Sequence, residues 1–441
     1  MAKKLRFQSP TGMHDILPEE QYYFQRINKV SEHIAGFYDF KKIDTPILED
    51  AELFSRGVGL STDIVQKQMY VLKTRGGDFL ALRPECTAPI VRSFLQHGMF
   101  NLPQPVKLWY FGPFFRAEHP QAGRYRQFWQ VGFEILEEKS SVVDAQMIQI
   151  FYNILQELRL KNLIVEVNSI GDSQCRPYYK KLLTSYLKVR ESALCLDCKR
   201  RFRKNPLRVL DCKDEKCQQI KSQAPQILDH LCDECNHHFK EVLEFLDELE
   251  LPYRLNSHLV RGLDYYTKTV FEIFSDVNPD KKNAANGSQV NEGMTSLAMG
   301  GGGRYDALAK LIGGRDVAAV GGAMGVERII QAMKARRIKF AEEASAQIFI
   351  AQLGNLAKRK SLKILEEFRK EKITAAETFG KDSLKFQLNK ANKLGVRYVL
   401  ILGQKEALEK TILIKDMISG KQDTVKLDKI VDEIKKRLKR R

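Results

Sequence analysis

The stretch FRAEHPQAGRYRQFWQVGFE, residues 115–134, decides how the middle of this chain folds. It places three arginines and five aromatic residues around a turn that contains Pro and Gly. The flanking segments VKLWYFGPFFRAE (106–118) and RQFWQVGFEIL (126–136) have the composition of β-strands, whereas HPQAGRY between them is too polar for a core. The sequence therefore predicts a long antiparallel hairpin.

Side chains alternate along a strand, so this hairpin sorts its residues onto two faces. On the second strand Gln130, Gly132 and Glu134 share one face, and Trp129 and Phe133 share the other. The first face therefore combines a carboxylate and an amide on a segment that begins among arginines.

The arginines are the first candidate binding residues. Arg116, Arg124 and Arg126 surround the turn, and guanidinium groups suit phosphate oxygens because they stay charged and bind in a bidentate manner. A surface hairpin with salt bridges is the alternative, and it is favoured for an isolated pair of arginines. MGVERII (324–330) adds Arg328 near the start of a helix entered through glycines, where anions bind well.

Other segments carry weaker signals. LRPECTAPIVR (82–92) places Glu85 before a helix that is predicted to begin at Thr87, and RGLDYYT (261–267) presents Arg261 beside two tyrosines. Taken singly, Glu85 is a charge at a helix N-terminus and the tyrosines are edge residues of a core. GGGGRYD (300–306) matches neither the P-loop nor the dinucleotide-binding pattern, so the common nucleotide folds are not indicated.

The periodicity predicts several elements outside the hairpin. A helix begins at Pro18, and one face of it is apolar. We expect that face to be buried through Phe24, Ile27, Val30, Ile34 and Phe37. FKKIDTPILED (40–50) is extended but contains Pro46, so it is predicted at an edge or an interface. LVRGLDYYTKTVFEIFSD (259–276) is predicted as a strand, and 278–293 as a polar loop.

The length and charge of the chain limit its possible number of domains and its possible partners. The 441 residues, 43% of them hydrophobic, suffice for two or three domains. The formal net charge is +17, and residues 346–441 hold 24 Lys or Arg against 12 Asp or Glu, a net +12. This excess favours a polyanion partner such as nucleic acid, with a solubilising surface as the alternative. No apolar run reaches the roughly 18 residues of a membrane span, and the start lacks a signal-peptide core, so a cytoplasmic protein without a membrane partner is expected.

Together these segments resemble one family. The segment around Pro46 is similar to motif 1 of class II aminoacyl-tRNA synthetases, and the hairpin with Arg116 is similar to motif 2. The helix start with Arg328, which follows glycines, is similar to motif 3. LVRGLDYYTKTVFEI, GGGGRYDAL, FRAEHPQAGRYRQF and the opening PTGMHDILPEE resemble signatures of the histidyl-tRNA synthetase family. The resemblance covers nearly the whole chain. It implies an α+β catalytic domain over 1–340 built on an antiparallel sheet, a helical insertion at 171–255, and an α/β anticodon-binding domain at 346–441.

The resemblance also implies the chemistry. Members ligate L-histidine to their cognate tRNA(His) through a histidyl-adenylate, with ATP as substrate and Mg²⁺, and they are homodimers. Arg116 and Arg261 would be catalytic. ATP would be bound by Arg116, Glu118, Arg124 and Arg328. Histidine would be bound by Glu85, Thr87, Arg116, Gln130, Glu134, Arg261, Tyr265 and Tyr266. Gln121 in the hairpin loop would meet the tRNA acceptor end.

Two rival functions stay open. One is a histidine-sensing regulatory subunit of ATP phosphoribosyltransferase, which resembles the catalytic domain but lacks the anticodon domain and loses signature residues. The other is an RNA-binding protein that uses the fold without chemistry. Here the basic C-terminal segment is present, and so are Arg116, Glu85, Arg261 and Arg328.

Six of the eight cysteines fall within residues 195–235. CLDC (195–198) and CDEC (232–235) have the spacing of zinc ligands, so Cys195, Cys198, Cys232 and Cys235 form a possible structural zinc set. Reduced, packed thiols are the favoured alternative, because the family's chemistry needs no zinc. Cys86 and Cys175 are expected to be ordinary buried residues.

Overall fold

The computed structural model describes residues 7–60, 62–120, 123–212, 214–276, 296–340, 346–380 and 382–439. Gln121 and the polar loop 278–293 lie outside the described residues. The chain divides into two compact units, Met1–Lys339 and Phe340–Arg441. No helix in the described part of the chain has the length and hydropathy of a membrane-spanning segment.

The first unit combines helices with a mainly antiparallel sheet. Its helices are α1 Pro18–Phe37, α2 Ala51–Val58, α3 Thr87–Gln96, α4 Val142–Glu157, α5 Cys175–Val189, α6 Leu196–Lys204, α7 Glu215–Ser222, α8 Asp233–Glu248, α9 Leu308–Leu311 and α10 Val326–Ala335. Its strands are β1 Lys41–Lys42, β2 Leu48–Asp50, β3 Val71–Lys73, β4 Phe79–Leu82, β5 Val106–Phe115, β6 Gln127–Leu136, β7 Leu163–Ser169, β8 Tyr253–Leu255, β9 Thr267–Asp276, β10 Ser296–Arg304 and β11 Ala319–Gly325.

Eight strands form the main sheet in the order β1-β5-β6-β11-β10-β9-β7-β8. Only the edge pairs β1–β5 and β7–β8 are parallel among these strands. The predicted hairpin is confirmed as β5 and β6, which pair from Val106 with Leu136 to Phe115 with Gln127. The glycine-rich GGGGRYD forms the end of the central strand β10, where sequence reasoning assigned no element.

Two expectations need correction. Phe37 is 78% exposed, because the buried face of α1 ends at Ile34 and Ala35, and Phe40 enters the core in its place with 4% exposure. The Phe40 ring packs on Phe133, with 5.2 Å between centroids. The strand predicted from residue 259 begins only at Thr267.

The Pro46 segment lies at a sheet edge, as predicted. Pro46 precedes β2, which is the outer strand of a separate three-stranded sheet in the order β2-β4-β3. The predicted insertion, 171–255, contains α5 to α8 and short 3-10 turns, but its last residues form β8, which pairs with β7 in the main sheet.

The second unit is a small α/β fold. Its sheet has the order β13-β12-β14-β15-β16, with β12 parallel to β13 and β14. The alternating strands and helices expected from the sequence are therefore present. Their bounds are β12 Ile348–Gln352, α11 Asn355–Lys370, β13 Ala375–Glu377, α12 Leu384–Lys393, β14 Tyr398–Leu402, α13 Gln404–Glu409, β15 Thr411–Asp416, β16 Gln422–Lys426 and α14 Ile430–Lys439.

A buried charge network fixes the end of β10 to the helices behind the sheet. Arg304 is fully buried, and its Nη2 donates to Asp144 Oδ1 at 2.6 Å. The guanidinium also donates to the carbonyls of Glu138 and Ser140 at 2.8 and 3.0 Å. On α8, His238 Nε2 lies 2.7 Å from Asp144 Oδ2. Asp144 and Arg304 therefore compensate each other's charge within the core.

Arg304→Met should lower the free energy of unfolding by about 3–5 kcal/mol, because it leaves the Asp144 carboxylate buried without its cation. Urea denaturation of the full chain measures this change. Lys310→Met is the matched control, since the Lys310–Asp316 ion pair is exposed and its loss costs about 1 kcal/mol at most. Equal losses in the two variants would contradict the role assigned to the buried pair.

Candidate active site

A cavity of about 350 Å³ lies on one face of the main sheet. The hairpin, residues 261–266 and the strands β9 to β11 enclose it. This volume suits a small molecule, and the lining is dominated by polar side chains.

The floor of the cavity is almost free of side chains. Strand pairing places Gly132, Ala323 and Gly301 side by side across β6, β11 and β10. Tyr110 on β5 and Glu272 on β9 end this row on either side. Strand alternation keeps all five residues on one face, where the Tyr110 ring lies over Gly132 and the Arg261 guanidinium lies over Gly301.

Two carboxylates lie buried at one end of the cavity. Glu85 accepts hydrogen bonds from the backbone N–H groups of Thr87 and Ala88, at 2.7 and 3.1 Å, and so caps α3. Glu134 accepts from the hydroxyls of Thr87 and Tyr305, at 2.7 and 2.5 Å. The shared Thr87 therefore joins the two acids into one hydrogen-bonded cluster.

Burial perturbs both acids. It raises the pKa of Glu134 to about 8, against the opposing effect of the Tyr305 and Thr87 hydrogen bonds. It also raises the pKa of Glu85, while the hydrogen bonds from Ala88 and Thr87 and the charge of Arg116 act in the other direction. A cationic ligand that entered here would stabilise the ionised form of both carboxylates.

Gln130 adds an unsatisfied acceptor to this end. Its side chain lines the cavity, and its Oε1 is buried without a hydrogen-bond partner among the described residues. A buried amide oxygen without a partner costs free energy, so this position is built for a donor supplied by a ligand. Tyr265 and Tyr266 close the same end, with ring centroids 4.7 Å apart.

Arginines occupy the other end of the cavity. Arg116 rests on the Phe128 ring, with 5.1 Å from its guanidinium carbon to the centroid, and its Nε donates to the Pro84 carbonyl at 3.0 Å. Arg328, in the first turn of α10, donates from Nη1 to the Ala298 carbonyl at 2.9 Å. Arg124 lies 3.5 Å from Glu118, measured from Nη1 to Oε2. Packing and carbonyl contacts thus hold Arg116 and Arg328 in place.

Arg261 bridges the two ends. Its Nη1 lies 3.5 Å from Glu272 Oε1, and its Nε is buried without a partner among the described residues. The acidic partner of Arg261 is therefore Glu272 on β9 and not the nearby Asp264 of its own segment. Asp264 instead accepts a hydrogen bond from Asn205 at 3.1 Å.

The opening segment of the chain braces the hairpin turn. The Arg126 backbone N–H donates to the Gly12 carbonyl at 2.7 Å, and its side chain donates to the Thr11 carbonyl at 3.3 Å. The rings of His14 and Tyr125 lie 4.6 Å apart. Arg126 is therefore a brace, unlike Arg116 and Arg328 at the cavity.

The structure brings the predicted residues together, Gln121 excepted because it lies outside the described part. Those that line the cavity are Glu85, Thr87, Arg116, Glu118, Arg124, Gln130, Arg261, Tyr265, Tyr266 and Arg328. Glu134 contacts them through Thr87. Sequence reasoning missed Tyr110, Glu272 and Tyr305. Tyr305 lies within GGGGRYD and Glu272 within LVRGLDYYTKTVFEI, two strings singled out from the sequence, so both had a usable signal.

The predicted grouping of the cysteines is wrong. Cys195 and Cys198 cluster with Cys212 and Cys217, whereas Cys232 and Cys235 lie with Cys175 and Asp172. The 3-10 turn Pro206–Val209 returns the chain toward α6, while α8 begins beside the start of α5. Cys175 is therefore part of a cluster. All eight cysteines are free thiols.

Comparison with known proteins agrees with this geometry. A family model described as histidyl-tRNA synthetase matches residues 12–171, and one described as an anticodon-binding domain matches residues 347–437. A histidine–tRNA ligase of Dehalococcoides mccartyi is 42% identical over 432 residues, which are 98% of this chain and 100% of that protein. One of Desulforamulus reducens is 41% identical over 428 residues, 97% of this chain and 99% of that protein.

A solved structure extends the likeness to three dimensions. Apo S. aureus histidyl-tRNA synthetase matches with a TM-score of 0.79 at 33% identity, over 97% of this chain and 99% of that one. The chain belongs to the histidyl-tRNA synthetase family.

Glu134→Gln should remove part of the pH dependence of stability in the ligand-free protein. Because the folded-state pKa of about 8 lies above the ordinary 4.5, the folded protein holds this proton more tightly than the unfolded chain does. The stabilisation is therefore complete below the ordinary pKa and is lost as the pH rises through the raised one. Melting temperatures of both proteins across pH 4 to about 9 test this. The parent should lose stability relative to the variant as the pH rises, and parallel curves would contradict the raised pKa.

Proposed function

We propose that this chain ligates L-histidine to tRNA(His) in an ATP-dependent reaction that passes through histidyl-adenylate. The observation that carries the proposal is the set of charged groups that line the cavity over the main sheet. Arginines line one end, while buried carboxylates and the unpartnered Gln130 Oε1 occupy the other. An amino acid with a basic side chain and an anionic phosphate chain together match these two ends.

The acidic end fits the cationic and N–H groups of histidine. An ammonium group or a ring N–H can donate to Gln130 Oε1 and to the carboxylate of Glu85, while Glu134 adds buried negative charge behind Thr87. Tyr265 and Tyr266 limit the depth available to the side chain. A pocket that bonds both ring nitrogens rejects other side chains by roughly 10⁴-fold without an editing step.

The basic end fits the phosphates. Arg116 would hold the ATP α-phosphate together with the histidine carboxylate, and Arg124 and Arg328 the outer phosphates, with Glu118 toward the adenine. A Mg²⁺ ion that arrives with ATP prefers oxygen ligands, and Glu118 and Glu272 are the carboxylates at this end that can share it with the phosphates. Such an ion would neutralise phosphate charge.

The chemistry needs positioning rather than a side-chain nucleophile. A histidine carboxylate oxygen attacks the α-phosphorus, the bond from that phosphorus to the bridging oxygen breaks, and pyrophosphate leaves. In the second step a 3′-terminal ribose hydroxyl of the tRNA attacks the histidyl carbonyl carbon, and AMP leaves with the electron pair. Arg116 and Arg261 stabilise the negative charge that develops around the phosphorus. Gln121 would contact the acceptor end.

The C-terminal unit would supply tRNA affinity. Residues 346–441 carry a net +12, and residues 347–437 match the anticodon-binding model. We assign this unit to the anticodon stem, with binding that weakens as salt rises because counterions compete for the phosphates. The domain bounds 1–340, 171–255 and 346–441 are part of this proposal, and the cytoplasmic location stays a prediction.

The protein is proposed to act as a homodimer. On the small sheet β2-β4-β3, strand pairing puts Val71 and Phe79 on one face with 46% and 55% exposure, and Ile47, just before β2, is 45% exposed. Adjacent apolar side chains of this size mark an interaction surface, and this one adjoins Pro46. A two-fold axis through the sheet would cover the same surface on both subunits.

The regulatory-subunit alternative is less well supported. Such a protein needs histidine binding alone, and it has no use for three arginines that converge on one cavity or for a unit of the anticodon-binding type. The RNA-binding alternative leaves the buried acidic end without a purpose.

Exchange of labelled pyrophosphate into ATP, measured with each of the twenty amino acids, tests the proposed function. We expect exchange with histidine and little with the other amino acids. The same preparation should transfer labelled histidine to tRNA(His). Binding of histidine without exchange would instead favour the regulatory subunit.

Arg261→His should slow single-turnover adenylation on the order of 10²–10³-fold, because it removes a fixed cation from the transition state. Histidine affinity and the melting temperature should change little. Arg254→His is the matched control, since Arg254 pairs with Glu166 on a neighbouring strand of the same sheet and does not line the cavity. A near-normal adenylation rate with a lowered melting temperature would show that Arg261 only stabilises the fold through its ion pair with Glu272.

A further inference from the structure

Four cysteines in the predicted insertion form a closed cluster that the proposed reaction does not use. The sulfur atoms of Cys195, Cys198, Cys212 and Cys217 all lie within 4.8 Å of one another. Three of the four residues are buried, and Cys195 is half-buried. The cluster therefore contains four soft ligands and little access for solvent.

The spacing of the sulfurs fits a metal better than a disulfide. Cys195 Sγ and Cys212 Sγ are 3.8 Å apart. A tetrahedral Zn²⁺ with sulfurs at about 2.3 Å requires about 3.8 Å between sulfurs. A disulfide would require about 2.0 Å. Simple packing of neutral thiols explains one such contact, but it does not require four sulfurs to converge on one point.

Backbone N–H groups donate to two of the four sulfurs. Cys195 caps α6, and its Sγ accepts the backbone N–H of Cys198 at 3.4 Å. The Cys195 backbone N–H in turn donates to Cys217 Sγ at 3.4 Å. Backbone donors to sulfur are the outer-shell contacts that orient and tune thiolate ligands.

The chain spacing matches zinc sites as well. Cys195 and Cys198 form a C-x2-C pair, and Cys212 and Cys217 a C-x4-C pair. Both spacings lie within the range of structural zinc sites. The basic α6, with Lys199, Arg200 and Arg203, offsets the negative charge of four thiolates around one divalent ion.

We infer that Cys195, Cys198, Cys212 and Cys217 bind one structural Zn²⁺ ion. All four positions are filled by protein, so the ion has no open site for catalysis. It joins α6 to α7, which have only 9 and 8 residues and are too short to be stable alone. It also fixes the intervening turn, from which Arg208 donates to the Arg261 carbonyl at 3.2 Å.

The second cluster does not carry the same inference. It offers three thiols and the Asp172 carboxylate, whose Oδ1 already accepts the N–H groups of Gln174 and Cys175 at 2.8 and 3.3 Å. This cluster therefore provides the control substitution.

Zinc analysis of the full chain, purified without chelators, tests the inference. Cys217→Ser should contain about one zinc ion per chain less than the parent and melt at a lower temperature. Cys235→Ser should keep the zinc that Cys217→Ser loses. Cobalt substitution separates the two clusters, since the visible bands of a tetrahedral tetrathiolate site should disappear in Cys217→Ser and persist in Cys235→Ser.

If Cys217→Ser does not fold, two other measurements decide. Cys217→His retains a ligand and should retain zinc. In the parent protein, modification of the thiols with a mercurial should release about one zinc ion per chain into a colorimetric chelator. Parent protein without zinc, or loss of zinc confined to Cys235→Ser, overturns the inference.

Discussion

The first unit depends on the close approach of its central strands, which leaves no room for side chains. A Cβ at Gly301 would lie 2.8 Å from Arg261 Nη1, and one at Gly321 would overlap the Glu134 carboxylate. At Gly302 the neighbouring carbonyl of Gly321 would be in the way. The glycines thus allow three things at once: the pairing of β10 with β11, the burial of Glu134, and a cavity floor made of backbone.

The polarity of the cavity follows from this arrangement. Because Gly321 on β11 pairs with Glu134 and has no side chain, the Glu134 carboxylate is fully buried over it and accepts hydrogen bonds from Thr87 and Tyr305. The same sheet presents Glu272 beside Arg261 at the far edge of the row. The site therefore holds its charged groups in fixed positions on the sheet, and fixed charges of this kind need little reorganisation during a reaction.

Local patterns in the sequence predicted the elements that depend on neighbouring residues. Alternation of side chains predicted the hairpin and its two faces. Glycine and capping signals predicted the start of α3 at Thr87 and the placement of Arg328 in the first turn of α10. The arginine-lined part of the cavity was predictable for the same reason. The α+β class and the roles of the remaining site residues came from the resemblance to a family.

Features that depend on distant parts of the chain were not predictable. Sheet order, which sequence does not reveal, makes Glu272 the partner of Arg261. The thiol pairs were grouped wrongly because both C-x2-C motifs look alike in sequence, while a turn at Pro206 sends one pair toward Cys212 and Cys217. Phe40 is buried instead of Phe37 because α1 ends at Phe37 and the chain then turns toward the core.

The hydrogen bond between His238 and Asp144 attaches one helix of the insertion, α8, to the rest of the first unit. Together with the Ser141–Glu241 hydrogen bond of 2.7 Å, it attaches α8 to α4 behind the main sheet. By connectivity α8 belongs to the insertion, but by contact it belongs to the catalytic body. Deletion of the whole of 171–255 would remove His238 and expose Asp144, the acid that neutralises Arg304. An engineered deletion should therefore end before Cys232. The retained α8 could then serve as the attachment point for a foreign domain.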